Sequence, residues 1–223
     1  MKTILITGAN RGIGLELARI YSGKAERVIA VCRDSSAELE QLTGVRIESG
    51  IDVASAVGIG QLCQRLEGVK LDLLINNAGV LRRSALDQIE DQLQDFRLQY
   101  EVNALAPLRV TAALLGGLSE GSKVIIITSR MGSMADNSSG GHYGYRMSKA
   151  AVNAAGVSLA NDLRPHGIVV GLLHPGYVRT GMTGHTGHVD AAEAAAGLVA
   201  QIENLTLDDS GSFVHASGER LPW

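Results

Sequence analysis

Seven short runs of aliphatic and β-branched residues recur along the chain: TILIT (3–7), RVIAV (27–31), GVRIE (44–48), LDLLI (71–75), KVIIIT (123–128), GIVVGLL (167–173) and SFVHA (212–216). Most are apolar at consecutive positions rather than at alternate ones. Both faces of such strands are buried, as in a parallel sheet covered by helices on each side. Between the runs lie segments of helical character, at about 12–22, 54–66, 90–118, 143–163 and 189–204. This alternation predicts an α/β fold, a doubly wound seven-stranded parallel sheet with helices on both faces. No repeat, low-complexity stretch or linker interrupts it, so residues 1–223 read as one domain.

Two of the helical segments lack the polar face of a surface helix. LAPLRVTAALLGGL (105–118) carries one charge, Arg109, and AAVNAAGVSLANDL (150–163) carries one, Asp162. The pattern predicts a homodimer or homotetramer formed through the helices at about 100–118 and 145–163; a well-covered monomer is the alternative.

Composition narrows the class. Hydrophobic residues make up 45% and charged residues 19%, enough for a sizeable core. A net charge of -3 with no basic run offers no footprint for nucleic acid or an anionic membrane. Cys32 and Cys63 sit in no CxxC or Cys/His pattern, so neither a disulfide scaffold nor a metal site is expected. His185 and His188 are two histidines in a loop, too few ligands for a metal. Glycines interrupt the N-terminal apolar run early, and no segment is long enough to span a membrane. A cytoplasmic protein is expected.

TGANRGIG (7–14) follows the first strand and opens the first helix. Gly8, Gly12 and Gly14 permit a tight turn and close approach of backbone to a pyrophosphate at a helix N-terminus, with Asn10 and Ile13 in the same turn. The spacing is GxxxGxG rather than GxGxxG. Asp34 lies 20 residues past Gly14, where a ribose-binding acid would favour NAD(H). The second strand ends at uncharged Cys32, however, and Arg33 precedes Asp34. Arg33 and Arg11 suit a 2′-phosphate, so NADP(H) is preferred, with NAD(H) as the alternative. Asp52, beside Val53, is placed for the adenine amino group or as a helix N-cap. NNAG ends the fourth strand and puts Asn77, Ala78 and Gly79 at the ligand-binding sheet edge; a simple turn is the alternative.

HYGYRMSKAAVN (142–153) offers two tyrosines and one lysine. Tyr145 and Lys149 satisfy the i, i+4 spacing of helix neighbours, whereas Tyr143 has Met147 there. An ammonium close to a phenol lowers its pKa and suits it to proton transfer. Ser129, at the end of the fifth strand, can hydrogen-bond a carbonyl oxygen at the same edge, with Thr128 and Ser133 as rivals. Asn103, in an otherwise apolar helix, either holds a water leading to Lys149 or is a buried structural amide. GLSEG (117–121) fits GxSxG, but a helix precedes it and a strand follows, the reverse of a nucleophile elbow.

The ordered set TGxxxGxG, NNAG, the helical Asn, the Ser after the fifth strand, YxxxK and PGYVRT (175–180) resembles the short-chain dehydrogenase/reductase family over nearly the whole chain. The stretch from Thr128 to Asn153 is similar to the C-factor and sniffer-like branch, relatives of carbonyl reductases. The resemblance implies a Rossmann fold and an NADPH-dependent reductase of a small carbonyl compound, or the reverse alcohol oxidation. It implies Ser129, Tyr145, Lys149 and Asn103 as catalytic residues, and Pro175, Gly176, Val178 and Thr180 at the nicotinamide. The stretch between Ser129 and Tyr145 is longer than in many members, and the substrate loop at about 181–190 is shorter, with little apolar wall. A cofactor-sensing regulatory or signalling protein is the second reading, since fold alone does not fix function.

Overall fold

The computed structural model describes residues 1–24 and 26–223. Its strands are β1 (Thr3–Thr7), β2 (Arg27–Val31), β3 (Val45–Glu48), β4 (Leu73–Asn76), β5 (Lys123–Ile127), β6 (Val169–His174), β7 (Val178–Arg179), β8 (Val189–Asp190) and β9 (Phe213–His215). The helices are α1 (Gly12–Gly23), α2 (Ala37–Glu40), α3 (Ala56–Arg65), α4 (Leu93–Tyr100), α5 (Ala106–Leu114), α6 (Tyr143–Leu163) and α7 (Ala191–Asn204). Seven strands form one parallel sheet in the order β3-β2-β1-β4-β5-β6-β9, while β7 and β8 pair separately. The expected doubly wound sheet is therefore the one found.

Alternate residues of the central strands feed two cores. Ile4, Ile6, Val28, Ala30, Ile125 and Ile127 meet Leu17 and Ala18 of α1 and Leu198 and Ile202 of α7. Leu5, Ile29, Val31, Leu74, Val124 and Val170 point the other way, to Leu62 of α3, Val110 and Leu114 of α5 and Ala160 of α6. This two-sided burial explains why the strands lack polar alternation.

The segment expected as one helix over 90–118 is broken. Between α4 and α5, residues Glu101–Leu105 form a π turn, in which the Ala106 amide donates to the Glu101 carbonyl. Such turns carry an extra residue and accumulate at functional sites. Asn103 sits inside this one.

Strand order reverses between β1 and β4, whose neighbours diverge to opposite sides of the sheet. Loops leaving the carboxyl ends of such strands bound a ligand crevice.

Candidate active site

The glycine turn and the end of β4 are laced together at this crevice. Thr7 Oγ1 accepts from the amides of Asn77 (3.0 Å) and Ala78 (3.1 Å). Asn77 Nδ2 donates back to the carbonyls of Thr7 (3.0 Å) and Gly8 (3.1 Å). Gly8 has φ +65, and a Cβ on it would lie 2.9 Å from Ala78 Cα; one on Gly14 would lie 2.2 Å from the Gly8 carbonyl oxygen. Both positions exclude any side chain. Asn10 accepts from Ser36 Oγ (2.7 Å) through its carbonyl, and Ile13 packs on the core. Helix α1 starts from Arg11 in an extended conformation with no side-chain cap, so its first amides are not engaged by a capping side chain.

Arg11 and Arg33 are exposed. Among the described residues neither makes an ion pair. Asp34, which follows Arg33, is also exposed. Asp52 is exposed, with Oδ1 accepting from the Ala54 amide (3.0 Å), and Val53 is buried. Ser55, not Asp52, caps α3 by accepting from the Gly58 amide (2.9 Å). The helix-cap alternative for Asp52 is thereby corrected: among the described residues its carboxylate makes a local turn bond.

From β6 the chain passes through Pro175 and Gly176 (φ +93) into β7, which contains buried Val178. Thr180 then returns to the glycine turn, its Cγ2 3.4 Å from where a Gly12 Cβ would stand. The loop after it also supplies an apolar side chain: Met182 Cε lies 3.9 Å from where a Gly79 Cβ would stand.

Helix α6 buries Tyr145, Ser148, Lys149, Val152, Asn153 and Gly156 along one stripe, which is the period-3.6 face toward the sheet. Tyr145 is 8% exposed, Lys149 5% and Ser129 7%, so the three side chains share a dry site. Lys149 Nζ donates to the Ile127 carbonyl (2.9 Å) and lies 5.8 Å from the Tyr145 ring centre. Thr128 Oγ1 donates to Asn153 Oδ1 (2.6 Å), and Ser133 Oγ donates to the Trp223 carbonyl (3.0 Å). Both rivals of Ser129 have other partners. Ser129 Oγ accepts from the Met131 amide (3.2 Å).

The electrostatics differ from the expectation of a phenol lowered by its lysine. Burial pushes Tyr145 up to about 12, opposed by the Ser129 hydrogen bond. Burial also pulls Lys149 down to about 8. Desolvation disfavours charge on either group, and the Lys149 hydrogen bond goes to Ile127 rather than to the phenol. Tyr145 is thus a neutral phenol at pH 7.

Asn103 has a structural role that its residue type left open. Its Oδ1 accepts from the Val80 amide (2.8 Å), while Nδ2 donates to the Val80 carbonyl (2.8 Å) and Ser148 Oγ (3.0 Å). The amide clamps the chain leaving Gly79 onto α6, one residue before Lys149.

The family model described as "short chain dehydrogenase" matches residues 2–190. The chain belongs to this family. It is an oxidoreductase of the short-chain dehydrogenase type. It is 42% identical over 229 residues, covering 100% of both chains, to 1-hydroxy-2-glutathionyl-2-methyl-3-butene dehydrogenase of Rhodococcus sp. (strain AD45). It is 46% identical over 156 residues to C-signal of Myxococcus xanthus, covering 69% of this chain and 93% of that one. Among solved structures it is similar to the NADPH-bound carbonyl reductase from chicken fatty liver, with TM-score 0.87 and 32% identity, covering 100% of this chain and 99% of that chain. The likeness to carbonyl reductases expected from the sequence is therefore found.

This short-chain dehydrogenase adds groups that spacing did not single out. His174, just before Pro175, is pushed down to about 3 by burial first and then by His215, Arg130 and Lys149. Its ring is therefore neutral at pH 7. Ser148 and Asn153 support Asn103 and Thr128, and their only sequence signal was their place on the Tyr145 stripe. Among the described residues there is no group of three metal-ligating side chains, and no helix is long and apolar enough to cross a membrane.

Proposed function

We propose that this chain interconverts a carbonyl compound and an alcohol with NADP(H), using Tyr145 as the general acid and base. The observation that carries the reading is the buried grouping of Ser129, Tyr145 and Lys149 at the carboxyl end of β5. The chain's residues suit a dinucleotide: the glycine turn has no room for side chains, α1 begins without a side-chain cap, and Arg11 and Arg33 are free for a 2′-phosphate. Asp52 and Val53 would take the adenine, and Asn77 to Gly79, Pro175, Gly176, Val178 and Thr180 the nicotinamide half. The chemistry that NADP(H) supplies when bound is hydride transfer.

The chain's own part is protonic and positional. Ser129 holds the substrate oxygen through its hydroxyl. Tyr145, a neutral phenol, gives that oxygen its proton as negative charge develops there. Lys149, largely charged at neutral pH, then stabilises the phenolate left behind. Asn103 is a positioning residue that fixes α6 against the Val80 segment. In the reverse direction the Tyr145 phenolate takes the proton from the alcohol.

The Rhodococcus relative, named for a dehydrogenase of a hydroxy compound bearing a glutathionyl group, supports turnover in the alcohol direction. The C-signal relative favours a second reading, an NADP(H)-binding signalling protein with little turnover. The intact Ser129, Tyr145 and Lys149 set favours the enzyme. Nicotinamide absorbance, followed with NADPH against ketones, aldehydes and quinones and with NADP+ against alcohols, tests the choice. Turnover is expected; cofactor binding without turnover on any of them would favour the second reading.

Leu115 and Val157 are exposed on α5 and α6 and their flanks, 44% and 36%, with Tyr100 (46%) nearby in sequence. These apolar positions support a homodimer or homotetramer. Sedimentation of the wild type is expected to give such an oligomer and of Val157→Glu a smaller species; a monomeric wild type would contradict it.

A further inference from the structure

A separate cavity opens where α6 begins. Its volume is about 290 Å³, and its lining includes Arg83, Ser84, Gln88, Gln92 and His142 but no carboxylate. Gln92 is committed to the wall: Oε1 accepts from the Ala85 amide (3.2 Å) and Nε2 donates to Gln88 Oε1 (3.0 Å). The other polar groups are not. Ser84 Oγ and His142 Nδ1 are both buried without a hydrogen-bond partner among the described residues. Leaving one such atom unpaired costs about 1–3 kcal/mol, so two in one cavity call for an occupant. Arg82 is paired with Asp95 (3.6 Å), whereas its neighbour Arg83 is exposed and makes no ion pair among the described residues.

The wall is also held under backbone strain. His142 has φ +51, a left-handed conformation that a non-glycine residue adopts rarely, and its amide donates to the Ser84 carbonyl (3.3 Å). That bond joins the two halves of the cavity.

We propose that this cavity binds a carboxylate on an arm of the substrate, with Arg83 as the charged partner and Ser84 and His142 as neutral donors. A guanidinium, a hydroxyl and an imidazole N–H are all donors, and a carboxylate accepts from several at once. Burial first, then the nearby Arg146 and Arg83 guanidinium groups, hold His142 below its ordinary value and so neutral. The location fits an arm rather than the reacting end. His142 precedes Tyr145 by three residues, a span of at most about 10 Å, and Ser84 follows the Gly79 edge of the crevice by five. A substrate whose reacting carbon lies at Tyr145 would reach the cavity with a carboxylate several bonds away, as a glutathionyl conjugate can. The inference rests on the oxidoreductase reading above and adds the substrate class to it.

Binding can be read without turnover. Calorimetry on the protein loaded with NADP+ would compare S-butylglutathione with its diethyl ester, on wild type, Arg83→Gln and Ser84→Ala. The free acid is expected to bind at least about tenfold more tightly than the ester to wild type, with the preference lost in Arg83→Gln and reduced in Ser84→Ala. Equal affinity for acid and ester, binding of neither, or a preference that survives Arg83→Gln would overturn the proposal. Turnover of small uncharged carbonyls, measured separately, reports on the oxidoreductase reading itself, so the two failures are distinguishable.

Discussion

Lys149 donates to the carbonyl of Ile127 at 2.9 Å, while its Nζ stands 5.8 Å from the centre of the Tyr145 ring. The lysine is anchored to the end of β5 and held beside the phenol without neutralising it. That arrangement makes charge on Lys149 costly in the folded protein, and the cost is measurable.

Burial brings Lys149 to about 8 from its ordinary value of 10.5. Between pH 8 and 10 the unfolded chain therefore binds more protons at this group than the native one, and stability rises with pH across that window. The Tyr145 shift, from 10.0 to about 12, acts in the opposite sense but only above pH 10. Denaturant unfolding of wild type and Lys149→Met at pH 7.5 and 10 should show wild type gaining on the order of 2 kcal/mol relative to the variant. A difference that does not change with pH would show that Lys149 is solvated.

Gly14 and Gly60 lie in different helices and should respond oppositely to alanine. A Cβ on Gly14 would stand 2.2 Å from the Gly8 carbonyl oxygen and 2.5 Å from Asn77 Nδ2, whereas one on Gly60 in α3 meets nothing within 4 Å. Gly14→Ala is expected to lose about 1–3 kcal/mol of stability and to weaken dinucleotide binding. Gly60→Ala should gain about 0.5–1 kcal/mol by reducing the freedom of the unfolded chain. Thermal unfolding with and without cofactor checks both, and a Gly14→Ala variant that binds normally would refute the close approach at the turn.

Arg11 and Arg33 should set the cofactor preference together. Each charge-assisted contact to a 2′-phosphate is worth about 1.5–3 kcal/mol. The double variant Arg11→Gln, Arg33→Gln should shift the ratio of kcat/KM for NADPH over NADH by at least about a hundredfold toward NADH. An unchanged ratio would remove both residues from the phosphate site.

The sheet was legible in the sequence because most of its strands are apolar on both faces, a pattern that survives without knowledge of its neighbours. Tyr145 and Lys149 were legible because i, i+4 spacing fixes a shared helix face. The π turn was not, since one extra residue between Tyr100 and Ala106 leaves no periodic mark in a segment that is apolar on either side of Asn103. The direction of the Tyr145 shift was also hidden. It depends on how much water burial removes and on Lys149 choosing the Ile127 carbonyl, and both are tertiary facts. The cavity at Arg83, Ser84 and His142 joins segments far apart in the chain, so spacing could not announce it.

The most direct measurement is single-turnover and steady-state kinetics of Tyr145→Phe beside wild type, with NADPH affinity followed by fluorescence. The variant should bind NADPH within a few-fold of wild type and lose about 10²–10⁴ in kcat, because only the phenolic proton is removed. Turnover close to wild type with the cofactor bound would contradict Tyr145 as the proton donor.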